Sequence, residues 1–218
     1  MKDGDIHYMI ETLREESPLW RVPAVTLIAE SSRDPLRVLI STMLSARTLD
    51  STTAEVSRRL FAIAATPRDM LKMSVDEMEK AIFPAGFYKT KARNILEVCG
   101  ALVERYESKV PDELDELVKL KGVGRKTANL VLTLGYGKPG ICVDTHVHRI
   151  SNRWGYVETK NPFETEMALR EKLPKRYWIE YNDLLVAFGQ HLCRPISPMC
   201  STCPLERACD RAGVGKSR

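Results

Sequence analysis

Apolar residues recur along this chain at spacings of three and four, and strand-like alternation is almost absent, so the pattern predicts a series of helices punctuated by Pro and Gly. Residues 3–16 fit a first helix. Asp34-Pro35 reads as an N-cap followed by proline in the first turn. Leu36, Leu39, Ile40, Met43 and Leu44 then follow at helical spacing to about Arg47. Asp50 is expected to cap the next helix, which runs to about Ala65. Short helices are expected at 67–72 and 75–82. A longer one runs from Lys89 to about Tyr106 with Ile95, Leu96, Val98 and Leu102 inward. Pro111-Asp112-Glu113 opens a short helix to about Val118, its acids suited to a helix N-terminus. Further helices are expected at 144–154, 162–172 and 177–192. The fold class is all-α.

Between the helix ending near Val118 and the next lies Leu120-Lys121-Gly122-Val123-Gly124-Arg125-Lys126-Thr127-Ala128-Asn129-Leu130. This reads as helix, tight glycine turn, helix. Glycine permits positive φ and close approach of the backbone to a ligand. The N–H groups and dipole of the second helix favour an anion such as a phosphate. Charge reverses across the turn: Asp112, Glu113, Asp115 and Glu116 precede it, while Lys119, Lys121, Arg125 and Lys126 flank it. That arrangement suits a grip on a nucleic-acid backbone that ignores sequence. A turn that uses glycine only for packing accounts for the residues equally well. Lys126 falls in the first turn of the second helix, where the local positive potential is expected to lower its pKa and make its amine a nucleophile. From the residues alone, one more phosphate-contacting lysine is the stronger account.

Composition adds limits. The chain of 218 residues is 44% hydrophobic and 28% charged, as a soluble globular protein is. No apolar run approaches the ~20 residues that cross a bilayer. The polar start, Met1 to Asp5, lacks the apolar core of a signal peptide, so a cytoplasmic protein is expected. A net charge of +4 is weak support for a nucleic-acid partner. Cys99 and Cys142 stand alone in apolar surroundings and read as buried thiols. Cys193, Cys200, Cys203 and Cys209 crowd together as C-x6-C-x2-C-x5-C, which in a cytoplasmic protein suggests a metal centre. Spacing alone leaves zinc and a [4Fe–4S] cluster both open. His146 and His148, two apart on a helix, do not face each other. Trp20, Trp154 and Trp178 read as core.

Several segments together resemble endonuclease III and its helix-hairpin-helix glycosylase relatives. They are the glycine hairpin with Lys126; Val143-Asp144-Thr145-His146-Val147-His148-Arg149, with Asp144 18 residues after Lys126; the cysteine pattern; residues 40–50, from Ile40 to Asp50; and Gly86-Phe87-Tyr88-Lys89-Thr90-Lys91-Ala92. The resemblance runs from about residue 30 to 210. It implies two helical domains with a DNA-binding cleft between them. One, at 28–138, is a six-helix domain holding the hairpin. The other is discontinuous, 1–27 with 139–218, and carries the cysteine loop.

The resemblance further implies a base-excision-repair glycosylase and abasic-site lyase for oxidised pyrimidines, acting as a monomer on double-stranded DNA with damaged bases or abasic sites, with no membrane partner. Lys126 attacks C1′ of the damaged nucleotide, the base leaves, and the Schiff base permits β-elimination on the 3′ side. Asp144 deprotonates the lysine or stabilises positive charge on the sugar; by itself it reads as an N-cap. Arg47 takes the family's gap-filling position, where many relatives carry glutamine, and Phe87 lies in a wedge loop near the opposite base. As a plain sequence, Arg47 also fits a solvated helix end, and Phe87 also fits the core. Lys121, Gly122, Val123, Gly124, Arg125 and Thr127 contact the DNA backbone. His146 lines the pocket or is structural. Arg194 meets phosphate from the cysteine loop, whose Cys193, Cys200, Cys203 and Cys209 hold a [4Fe–4S] cluster with a structural role. The alternatives are a monofunctional mismatch glycosylase, whose adenine-removing members carry a glutamate where Ser41 stands, and a non-catalytic helix-hairpin-helix DNA-binding module.

Overall fold

The computed structural model describes residues 5–20 and 22–218. Residues 1–4, which hold most of the polar start and the first residues of the first expected helix, lie outside them. Among the described residues there are twelve α-helices and no strand. They are α1 Asp5–Glu16, α2 Ala24–Ser32, α3 Pro35–Ser45, α4 Asp50–Ile63, α5 Pro67–Met70, α6 Val75–Ile82, α7 Tyr88–Arg105, α8 Leu114–Leu117, α9 Arg125–Leu130, α10 Thr145–Arg153, α11 Pro162–Lys172 and α12 Tyr181–His191. A π-turn, Val131–Gly135, prolongs α9.

Two expectations need correction. α2 was not foreseen: its Val25, Thr26 and Ile28 are β-branched and favour helix weakly, and it forms because Ala24, Val25, Thr26 and Ala29 are buried. Asp50 does not cap α4. Leu49 holds the cap position without a side-chain bond, and Asp50 sits inside the first turn, where its charge still suits the dipole. Other starts follow their cap residues. The Asp34 carboxylate accepts from Leu36 N at 2.9 Å ahead of Pro35. Ser74 and Glu77 form a reciprocal capping box for α6.

The helices form two compact units. Ala24–Gly140 is continuous. Its core is built from Leu39, Ile40 and Leu44 of α3, Leu60 of α4, Ile95, Val98 and Leu102 of α7, and Ala128 and Val131 at the hairpin's far end. The second unit joins the chain before Ala24 to Ile141–Arg218. There Ile6, Ile10 and Leu13 of α1 pack with Val147, Ile150 and Trp154 of α10 and Leu185 and Phe188 of α12. His7 Nδ1 meets the Tyr177 hydroxyl at 2.8 Å, and Arg14 pairs with Glu180 across the same seam. Trp154 and Trp178 are buried and Trp20 stacks on His191, so all three tryptophans serve packing. Cys99 and Cys142 are buried thiols, and burial pushes Cys99 up to about 12.

α7 buries a cation as well. Lys91 is 8% exposed, and its Nζ donates to Leu44 O at 2.6 Å, Ala46 O at 2.7 Å and Thr48 Oγ1 at 2.9 Å. Leu44 and Ala46 lie where α3 stops, so the ammonium takes up carbonyls that the helix leaves unpaired. Hydrogen bonds from a charged donor contribute about 1.5–3 kcal/mol each. Three of them offset a desolvation penalty of several kcal/mol. Burial holds the Lys91 pKa down to about 8, from an ordinary 10.5. Between those values the unfolded chain binds a proton that the folded chain does not, so stability gained through Lys91 rises with pH. Denaturant melts of wild type and Lys91→Met across that window should show the difference moving in favour of wild type as the pH rises. A constant difference would refute the lowered pKa.

Candidate functional site

The glycine turn is anchored from below. Leu117, Leu120 and Val123 are buried, and Val123 N donates to Leu120 O at 3.1 Å. Gly122 adopts φ +75, and a Cβ there would lie 2.7 Å from Asn94 Nδ2. Gly124 is different: its φ is −91, in the extended region, and it is the N-cap of α9 without any side chain to offer. Only the first glycine is therefore required for conformation. The second leaves the mouth of α9 uncovered by a capping side chain. Lys121, Gly122, Gly124 and Lys126 are exposed there, while Arg125 and Thr127 are half-buried. Val123, at 5% exposure, is buried beneath the turn.

Charge around the turn is sorted by pairing. Glu116 takes Lys119 at 2.6 Å, and Asp112 takes Lys138 at 2.7 Å, with Glu113 also on Lys138. These pairs hold Asp112 and Glu116 below the usual carboxylate range. The acids before the turn are largely answered by Lys119 and Lys138, so the positive character of the tip rests on Lys121, Arg125 and Lys126.

Asp144 begins α10 in the second unit. Its Oδ1 accepts from His146 N at 2.8 Å and from Val147 N at 2.9 Å, so it is the N-cap, half-buried and fixed in orientation. His146 Nδ1 lies 3.2 Å from Arg149 Nη2 and packs over Gly189. His148 turns elsewhere, its Nδ1 2.7 Å from Thr165 Oγ1. The two histidines share no site.

Arg47 and Phe87, forty positions apart, are brought together. Each has positive φ, 53 and 57, and each is exposed, Phe87 by 62%. Phe87 is not core, and Arg47 is exposed two positions beyond the last residue of α3. The Arg47 guanidinium sits over the Phe87 ring at 5.3 Å, a cation–π distance. Gly86 N donates to Thr48 Oγ1 at 3.1 Å, and a Cβ on Gly86 would fall 2.2 Å from Arg47 O. Only glycine lets the two loops approach so closely. Lys91 beneath them falls in the Gly86–Ala92 segment that carries part of the resemblance, but the sequence assigned its side chain no role.

Cys193, Cys200, Cys203 and Cys209 are half-buried free thiols that line one cavity, with Trp154, Phe188 and Leu192 among its apolar walls. Among the described residues no three of His, Cys, Asp and Glu converge closely enough for a single metal ion. Burial raises Cys203 to about 11 and lifts Cys209 as well. Arg153, buried, donates to Arg194 O at 2.6 Å and Pro195 O at 2.7 Å and approaches Cys193 Sγ at 3.5 Å. Arg149 donates to Cys193 O at 2.8 Å. Neither arginine was singled out from sequence; buried guanidinium groups that face carbonyls are legible only in three dimensions. The side chain of Arg194 points to solvent.

Comparison with known proteins agrees with this arrangement. Residues 40–175 match the model of the HhH-GPD superfamily base excision DNA repair proteins. Endonuclease III of Thermotoga maritima is 48% identical over 188 residues, 85% of this chain and 88% of that protein. Endonuclease III of Bacillus subtilis is 39% identical over 81% of each chain. A solved structure of a trapped endonuclease III–DNA covalent intermediate matches with a TM-score of 0.86 at 36% identity, over 97% of both chains. A thermostable thymine-DNA glycosylase, at 23% identity and a TM-score of 0.74, shares the fold. The chain belongs to the HhH-GPD superfamily of base excision DNA repair proteins and, within it, to the endonuclease III family.

Proposed function

We propose that this chain is a bifunctional DNA glycosylase and abasic-site lyase that removes oxidised pyrimidines from duplex DNA, with Lys126 as nucleophile and Asp144 as its assistant. The observation that carries the reading is Lys126 in the first turn of α9, beside an N-terminus that Gly124 leaves without a capping side chain, in a chain 36% identical to an endonuclease III trapped covalently on DNA. The exposed Lys121 and the half-buried Arg125 and Thr127 lie around the same turn, placed to receive a phosphate.

In this scheme the Lys126 amine attacks C1′ and the N-glycosidic bond breaks, its electron pair leaving with the base. The sugar ring opens to a Schiff base on Lys126. Loss of a C2′ proton then expels the 3′ phosphate and cuts the strand, and water releases the lysine. Asp144 accepts the proton of the attacking amine or balances positive charge at the sugar. The two hydrogen bonds that its Oδ1 accepts at the start of α10 keep the carboxylate from turning away. The target leaves the stack to be reached, and Arg47 over Phe87 is the feature suited to replace it. The chain acts as a monomer, in the cytoplasm with the DNA. No helix among the described residues is long and apolar enough to cross a membrane.

A monofunctional glycosylase is disfavoured by the presence of Lys126, and the adenine-removing kind also by Ser41. That residue stands where those members carry glutamate, and it is fully buried in α3. A non-catalytic module would not need both Lys126 and Asp144.

Cys193, Cys200, Cys203 and Cys209 fit a [4Fe–4S] cluster. They are four thiols that line one cavity, in the spacing C-x6-C-x2-C-x5-C that the family resemblance ties to such a cluster. The cluster would supply iron–thiolate bonds that tie the loop carrying Arg194, with no part in breaking the glycosidic bond. A bound cation is also what would draw protons from buried thiols.

Borohydride added during reaction with thymine-glycol duplex should trap a protein–DNA adduct, and Lys126→Ala should abolish it; undiminished trapping would remove Lys126 from the mechanism. Asp144→Asn preserves a good N-cap, so melting should barely change while kcat falls about a hundredfold or more and DNA affinity stays within about tenfold. Retained turnover would reduce Asp144 to a cap. Purified protein should be yellow-brown, absorbing near about 400 nm, and a Cys200→Ser, Cys203→Ser variant should lose that colour. A colourless wild type holding one zinc would reverse the assignment.

A further inference from the structure

We propose that Lys91 is a positioning residue for lesion recognition: its ammonium ties the Arg47 loop and the Phe87 loop into one rigid wedge. This rests on the reading that the chain extrudes its target nucleotide. Three acceptors converge on Lys91 Nζ, at 2.6, 2.7 and 2.9 Å, and all belong to the stretch from the last turn of α3 to Thr48, which brackets Arg47. The third, the Thr48 hydroxyl, also accepts from Gly86 N, next to Phe87. Lys91 itself sits one helical turn after Phe87 in α7. A closed circuit therefore runs from Lys91 through Thr48 to Gly86 and back along the chain, with Arg47 and Phe87 at its two tips.

The two tips share a backbone feature. Arg47 and Phe87 both hold the left-handed conformation, which non-glycine residues keep only where their surroundings enforce it. The bonds from Lys91 and the close approach at Gly86 are that enforcement. The cation lies over the ring and both are exposed, a guanidinium and an aromatic of the kinds that bases stack on.

A buried ammonium carries a desolvation penalty, which is offset here because it answers carbonyls that an apolar side chain would leave unpaired. What it supplies is direction. Burial of apolar area is indifferent to orientation, whereas three donors on one nitrogen fix where Leu44, Ala46 and Thr48 lie. Ordering a loose loop residue costs a free energy comparable in scale to pulling a base from the stack. A wedge that had to be ordered on binding would spend most of what it gains, so rigidity in the free protein decides whether it drives extrusion.

The test uses two substrates, thymine glycol opposite adenine and thymine glycol opposite a tetrahydrofuran abasic analogue, where the lesion has no partner to leave. Lys91→Met should lower kcat/KM on the paired duplex about thirtyfold while losing less than about threefold on the unpaired one. Thr48→Val keeps Lys91 but breaks the link to Gly86 at a half-buried loop position. It should show the same selective loss, about tenfold, and carries the test if Lys91→Met does not fold. Equal losses on both duplexes, or no loss on either, in the folded variants would overturn the wedge. If wild type itself incises neither duplex, the glycosylase reading fails and the wedge with it; if wild type incises both and the variants show no selectivity, the wedge alone fails.

Discussion

Every helix begins with N–H groups that it cannot pair within itself, and the two helices that matter most here resolve this in opposite ways. α10 starts on Asp144, whose carboxylate closes over two of those groups and is locked by them. α9 starts on Gly124, which has nothing to close with. One start fixes an acid; the other presents a positive end with Lys126 in its first turn. The chemistry proposed for this chain uses both results, a carboxylate held in place and an amine at a helix start without a capping side chain. The difference lies in one side chain at one cap position.

The surrounding charge follows the same economy. The acids before the hairpin could have cancelled its attraction for a polyanion. Three of them, Asp112, Glu113 and Glu116, are instead engaged by Lys138 and Lys119, with Tyr106 also on Glu116. A count of charge along the sequence shows a reversal but not this pairing, and Lys119 belongs with the acids it neutralises.

How much the sequence disclosed depends on the range of the interaction. Local rules located α3 through Asp34-Pro35, the hairpin through its glycines, and the cap at Asp144. They failed at α2, which burial stabilises against its own propensity, and at Asp50, one position past the true cap. Contacts between distant segments were not legible at all. Arg47 and Phe87 could be named only by resemblance, and nothing in their neighbourhoods announces that one lies over the other. No partner for Lys91, Arg149 or Arg153 could be read ahead, because a sequence window does not show which carbonyls a fold will turn toward them. Four cysteines in 17 residues were visible, but that all four line one cavity was not.

The division of the chain into an uninterrupted central unit and an outer unit made from both flanks has a consequence for how the molecule assembles. α1 finds α12 across more than 160 positions, and Arg14 meets Glu180 only after everything between them has been made. Loop closure over that distance is entropically slow to reward. On a ribosome, the central helices can condense first as they emerge and shorten the effective tether. α1 then waits, amphipathic and without its mate, until the last third of the polypeptide arrives to cover it.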